Sequence, residues 1–322
     1  MPGGVCRRVV VSGGSTDPRF RVSNTEEAVV ENAETSARIE QGSAKPAVVL
    51  IHGLWMTPRS WEHWVARFER RGFHVLTPAY PGLEVEVEAL REDPSPIARV
   101  TVHETVAHLE RIIGELDQPP ILMGHSFGGA LVQILLDHGY GAAGVAIDSV
   151  PTEGVRKVPA SQVKASFPVL HNPANRHRAV GFTPEQFHYA FTNTLSEEES
   201  AKAYERYHVP APGRWVWDGV LANVIPGHQD AWVDYHNHDR APLLFIAGGA
   251  DHIIPASVNK ANYERYEKSR AHTDFHELEG RDHFTCGAPG WEAVADDALT
   301  WATEHAPLGT RAATPETSPT TG

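Results

Sequence analysis

The stretch Ile121-Leu122-Met123-Gly124-His125-Ser126-Phe127-Gly128-Gly129-Ala130-Leu131-Val132 constrains this chain more than any other. An apolar triplet, a serine flanked by glycines two positions away on each side, and then an apolar run describe three things in sequence. They are a short buried strand, a sharp turn and the opening of an apolar helix. Passing from strand to helix through one residue strains the backbone at Ser126 and brings neighbouring chain very close. Gly124 and Gly128 carry no Cβ to obstruct that approach. The chemistry gives the spacing its reason. A serine hydroxyl is a weak nucleophile and must stand clear of the sheet, where a histidine can take its proton. The helix start also aims the Phe127 N–H at a position where negative charge can develop on an oxygen.

Around this stretch the apolar runs alternate in kind. Ala47 to Ile51 reads as a strand buried on both faces, followed by His52-Gly53-Leu54-Trp55. Ser60 is placed to cap a helix whose inner face carries Trp61, Trp64, Val65 and Phe68, with Gly72 at its stop. Phe73 to Pro78 is the next strand, and Thr101-x-x-Glu104 is a capping box for a helix striped by Val102, Val106, Leu109, Ile113 and Leu116. Gly144 to Asp148 is another buried strand. After Pro151 the rhythm stops until about Arg240. Thr183 and Ser196 cap helices in that interval, with Phe182 and Phe187 as a staple, and the segment is rich in aromatic residues. Strands return at Leu243–Ala247 and Thr273–Leu278, the first followed by a helix from Val258 to Lys268. A closing helix is striped by Trp291, Val294, Ala298 and Trp301.

Strands alternating with helices at these spacings predict an α/β fold, a mostly parallel sheet flanked by helices, with a helical insertion. The expected division is a poorly ordered N-terminal arm over 1–43, a core over 44–150 and 241–305, the insertion over 151–240, and a disordered tail over 306–322. Val9–Val11 and Ala28–Val30 are marginal edge strands within the arm.

Composition narrows the partners. The net charge of −13 argues against a nucleic-acid or anionic-membrane surface. With two cysteines, Cys6 and Cys286, no disulfide framework is implied. The first residues have no apolar core of a secretory signal, and no apolar run reaches 18 residues, so a cytoplasmic protein is expected. The sequence implies no metal and no organic cofactor; His236-Asn237-His238-Asp239 lacks ligand spacing and reads as a solvated loop.

A serine nucleophile needs a base, and the base needs an acid to fix its tautomer. Ser126, Asp251 and His283 each fall just past the carboxyl end of an expected strand, the edge at which α/β sheets place ligands. Asp148 competes with Asp251 for the acid. His252 and His276 compete with His283 for the base, and His125 reads as a packed residue of the turn. With His52-Gly53-Leu54, Gly124-His125-Ser126-Phe127-Gly128-Gly129, Gly249-Ala250-Asp251 and Asp282-His283, the chain resembles the α/β-hydrolase family from about Ala47 to Trp301. The resemblance implies a cap domain where the insertion lies, and an oxyanion hole formed by the N–H groups of Leu54 and Phe127. The HG-x-W and GHS-x-GG motifs resemble the esterase, methyl-esterase and lactonase side of the family. They imply hydrolysis of a small-molecule ester or lactone. Perhydrolase or haloperoxidase-type chemistry, acyl transfer, a lyase reaction, or ligand binding without turnover use the same fold. Epoxide hydrolases and haloalkane dehalogenases of the family need a carboxylate nucleophile, against which Ser126 stands.

Overall fold

A computed structural model describes residues 6–9, 46–222 and 228–307. Its centre is a seven-stranded sheet whose strand pairs are all parallel: β1 (Cys6–Val9), β2 (Ala47–Ile51), β3 (His74–Leu76), β4 (Ile121–His125), β5 (Ala143–Ile147), β8 (Leu243–Gly248) and β9 (Thr273–Leu278). The spatial order is β1-β9-β8-β5-β4-β2-β3. The chain runs outward from β2 to β3, returns past β2 to β4, and continues in the other direction. The switch point therefore lies between β2 and β4, and the carboxyl edge of such a switch point is where α/β sheets place ligands.

The strands read as unbroken apolar runs because both faces are covered. On one face Val48, Leu50, Met123, Val145 and Leu244 pack against Trp64 and Phe68 of α1 (Glu62–Arg70) and Val294 and Ala298 of α10 (Trp291–His305). On the other, Val49, Ile51, Leu122, Ala146 and Phe245 meet Leu109 and Ile113 of α3 (Val102–Gly114) and Leu131 and Leu135 of α4 (Phe127–Asp137). Val258 of α9 (Ala256–Glu264) joins this second layer. Arg67 grips Asp296 through two hydrogen bonds of 2.6 Å, tying α1 to α10.

Among the described residues of the insertion there are four α-helices: α5 (Ala160–Leu170), α6 (Pro184–Ala190), α7 (Glu197–Tyr207) and α8 (Gly213–Leu221). The Thr183–Gln186 and Ser196–Glu199 capping boxes both form. A two-residue antiparallel pair, β6 (Ala179–Val180) with β7 (Ala211–Pro212), was not expected from sequence. The expected Ser60 cap is a correction. Thr57 caps a 3-10 turn over Pro58–Trp61, because Pro58 suits a first helical position, and Ser60 lies inside that turn. A strand near the N-terminus covers Cys6–Val9, and Val10 and Val11 of the expected edge strand lie outside the described residues. Ala28–Val30 and residues 308–322 lie outside the described residues. Among the described residues no helix is long and apolar enough to cross a membrane.

Candidate active site

The carboxyl edge of the sheet gathers the predicted residues. Ser126 lies between β4 and α4 with φ 56° and ψ −119°. A Cβ on Gly124 would lie 2.1 Å from the Gly128 carbonyl oxygen, so the turn closes only with glycine there. The loop after β2 passes directly against the serine: a Cβ on Gly53 would lie 2.7 Å from that of Ser126. Leu54, next in that loop, and Phe127, the first residue of α4, are both buried. The N–H groups of a first helical turn have no acceptor within the helix, which leaves the Phe127 amide suited to an anion.

Three non-glycine residues of the described chain have positive φ: Trp55 (62°), Ser126 (56°) and Asp148 (44°). All three follow strands of this edge. Strained backbone concentrated in one place is a mark of function.

His283 follows β9 and is wholly buried. Its Nδ1 lies 2.6 Å from Asp251 Oδ2. The N–H groups of Ile253 and Ile254 donate to the other oxygen of Asp251, each at 2.8 Å, and fix the carboxylate. A carboxylate at Nδ1 holds the ring proton there, so Nε2 presents a lone pair, and that atom has no hydrogen-bond partner among the described residues. Burial pushes the His283 imidazole down to about 3. Burial also pushes the Asp251 carboxyl up, opposed by the amides of Ile254 and Ile253. The resting pair thus holds a neutral imidazole able to accept a proton.

The competing residues sit elsewhere or bond elsewhere. His252 Nδ1 meets the Tyr189 carbonyl at 2.9 Å, and His276 pairs with Asp297 at 2.8 Å. Asp148 does reach the site. One ring nitrogen each of His125 and His283 and a carboxylate oxygen of Asp148 lie within 4.8 Å of one another. Yet Asp148 Oδ1 accepts from the Gly248 N–H at 2.5 Å, and Oδ2 has no partner. Burial, with the Asp251 charge beside it, pushes this carboxyl well above the ordinary range. His236 and His238 belong to a loop in which Asp234 and Asn237 side chains accept from nearby backbone N–H groups.

Sequence reasoning missed how His283 is held. His125 Nε2–H donates to the His283 carbonyl at 2.7 Å, and the two rings lie 4.7 Å apart. From the insertion, the Phe191 carbonyl accepts from the Phe284 N–H at 2.8 Å, and the Phe191 ring stands edge-on to His283 at 4.7 Å. Asp282 Oδ2 accepts from the Thr194 hydroxyl at 2.6 Å. Asn193 donates to the Ala250 carbonyl at 3.0 Å beside Asp251. One short segment, 191–194, therefore fastens both the Asp251 loop and the His283 loop. Its only sequence signal is the cluster of small polar residues after Phe191.

Aromatic rings close the edge. Phe127 packs on Trp215 at 4.4 Å, and Trp55 stacks on Phe182 at 4.5 Å while its indole N–H donates to the Val180 carbonyl. Ser126 is 2% exposed. A depression of about 540 Å³ between Ala47, Phe73, His74 and Glu115 lies at the opposite end of the strands, away from this chemistry.

The chain is similar to epoxide hydrolase A of Mycobacterium tuberculosis, 28% identical over 278 residues that cover 71% of this chain and 83% of that protein. Among solved structures it is similar to the monoacylglycerol lipase of Paleococcus ferrophilus, with TM-score 0.55, 22% identity, and coverage of 82% of this chain and 97% of that one. It is also similar to an extracellular α/β-hydrolase from a Paenibacillus species (TM-score 0.57, 20% identity, 80% and 98% covered). The methylesterase MES16 of Arabidopsis is a further neighbour (TM-score 0.54, 15% identity, 80% and 99% covered). At these identities the structures share the fold. The family model described as the alpha/beta hydrolase family matches residues 48–297, most of the chain, and with this sheet and edge the protein belongs to the α/β-hydrolase family.

Proposed function

We propose that this chain is a serine hydrolase that cleaves a carboxylic ester or lactone through an acyl-enzyme. Ser126 Oγ attacks the carbonyl carbon while His283 Nε2 takes its proton. The N–H groups of Leu54 and Phe127 receive the oxyanion. Collapse of the tetrahedral intermediate breaks the C–O bond, and His283 returns the proton to the departing alkoxide. Water then attacks the acyl-enzyme with His283 again as base, releasing the acid and restoring Ser126. Asp251 holds the imidazole tautomer and stabilises the imidazolium. The observation that carries this reading is the buried His283–Asp251 pair at 2.6 Å, its second ring nitrogen unpartnered, on the same strand edge as a serine at positive φ.

The epoxide hydrolase relative raises a second reading. That chemistry starts from a carboxylate, and the nucleophile position here holds a serine. The rings of Trp55, Phe127, Phe182, Phe191 and Trp215 around the edge favour a small to medium apolar acyl group. Each Å² of substrate they remove from water contributes about 25 cal/mol. The test is turnover of p-nitrophenyl esters from C2 to C16, of methyl esters, lactones and an aryl epoxide, with Ser126→Ala as blank. Medium-chain or ring-bearing esters are expected to give the highest kcat/KM. Epoxide turnover that survives in Ser126→Ala, or no ester turnover at all, contradicts the proposal.

A further inference from the structure

The acidic total of the chain conceals one segment of opposite character. Between Gly154 and Pro184 there is no Asp or Glu, whereas Arg156, Lys157, Lys164, Arg176 and Arg178 all fall there. Five positive charges in this segment leave −18 on the rest of a chain whose total is −13. Helix α5 lies at its centre. Its inner face is built by the buried Ala165 and Val169. Its outer stripe, the exposed positions Ala160, Val163, Lys164, Phe167 and His171, has helical spacing but the wrong composition for a face turned to water. Val163 is 51% exposed and Phe167 61%, one turn apart, with Val158 at 66% just before the helix. Val220, at the end of the neighbouring α8, is 50% exposed.

The positive charges of this segment are mostly uncompensated. Asp218 of α8 pairs with Arg176 at 2.8 Å and with Arg214. Glu185 stands at the start of α6. The Lys164 ammonium lies over the Tyr189 ring at 3.8 Å. Among the described residues Arg156, Lys157 and Arg178 are exposed and make no ion pair. Exposed apolar side chains beside Lys and Arg bind a lipid–water interface through the apolar area they bury and the attraction of the charges to anionic lipid.

We infer that the outer face of α5, with Val158 and the flanking Arg156, Lys157 and Arg178, docks on the surface of an anionic phospholipid bilayer. Phe167 and Val163 enter the headgroup boundary while the basic side chains meet lipid phosphates. The complementarity is local. The remainder of the molecule is repelled by the same surface, so the chain is held there by this face alone. This inference does not depend on the proposed reaction.

The test is flotation of the full-length protein with phosphatidylcholine vesicles that contain or lack phosphatidylglycerol, at low and high salt. Each basic side chain near such a surface is worth about fivefold in partitioning. Binding is expected only with phosphatidylglycerol present, and it weakens as salt screens the charges. Lys157→Glu/Lys164→Glu should lower partitioning by roughly tenfold or more. Val163→Ser/Phe167→Ser should lower it by a comparable factor, with an unchanged circular dichroism spectrum because both positions are exposed. Failure to bind overturns the inference. So does binding that is indifferent to anionic lipid, or that both double variants retain.

Discussion

At the scale of single residues, two carboxylates compete for one imidazole, and their backbone partners separate them. Asp251 receives two amide N–H bonds on one oxygen and offers the other to His283. Asp148 spends one oxygen on Gly248 and leaves the other without a partner. Replacing the acid by an amide in a serine-protease triad preserves its shape but favours the wrong imidazole tautomer, at a cost of about 10⁴ in kcat. Asp251→Asn is expected to lose activity on that scale. Asp148→Asn should lose far less, since Asp148 makes no hydrogen bond to the His283 ring and accepts only from the Gly248 N–H. Steady-state kinetics of the two variants decide the matter, and a dead Asp148→Asn beside a working Asp251→Asn reverses the roles. Ser126 was legible from its glycines, because only a close backbone approach requires them. His125 was legible merely as a packed residue. Its 2.7 Å bond to the His283 carbonyl joins positions 158 residues apart, and no local pattern records it.

At the scale of elements, the parallel strands could be read directly, since burial on both faces removes polar residues from them and leaves runs such as Val48–Ile51. The helices of the insertion with capping boxes, α6 and α7, were equally plain. Helices α5 and α8 were not. Each starts after a proline without a side-chain cap, and α5 carries Pro168 inside it. The aromatic residues of the insertion divide in a way that spacing alone does not reveal. Phe191 faces His283, and Trp215 faces Phe127. Tyr204 instead stacks on His208, while Tyr207 bonds Glu62 of α1 at 2.6 Å. The first two rings crowd the candidate site, and the other two fasten the insertion to itself and to the core.

At the scale of the whole molecule, burial of histidine couples stability to pH. Burial pushes His52 down to about 4, His208 and His283 to about 3, and His125 well below its ordinary value. The folded values are depressed, so these groups contribute fully above the unfolded value near 6.5. The contribution is lost as pH falls below it, because the unfolded chain binds protons that the folded one refuses. Each such histidine costs up to about 1.4 kcal/mol of stability per pH unit in that interval. The melting temperature is therefore expected to fall steeply between about pH 6.5 and 4. A melting temperature flat across that range would show that the four rings are not held neutral by the fold.

In the proposed reaction one atom of the whole structure, Ser126 Oγ, is the nucleophile, and labelling tests that role most directly. A fluorophosphonate reacts with a serine only where a base and an oxyanion hole activate it, so the protein treated with such a probe and digested should carry the phosphonyl group on the peptide containing Ser126. Loss of a triad nucleophile can cost on the order of 10⁶ in kcat, so Ser126→Ala should be unlabelled, folded and without ester turnover. Labelling at another serine, or ester turnover undiminished in Ser126→Ala, would contradict it.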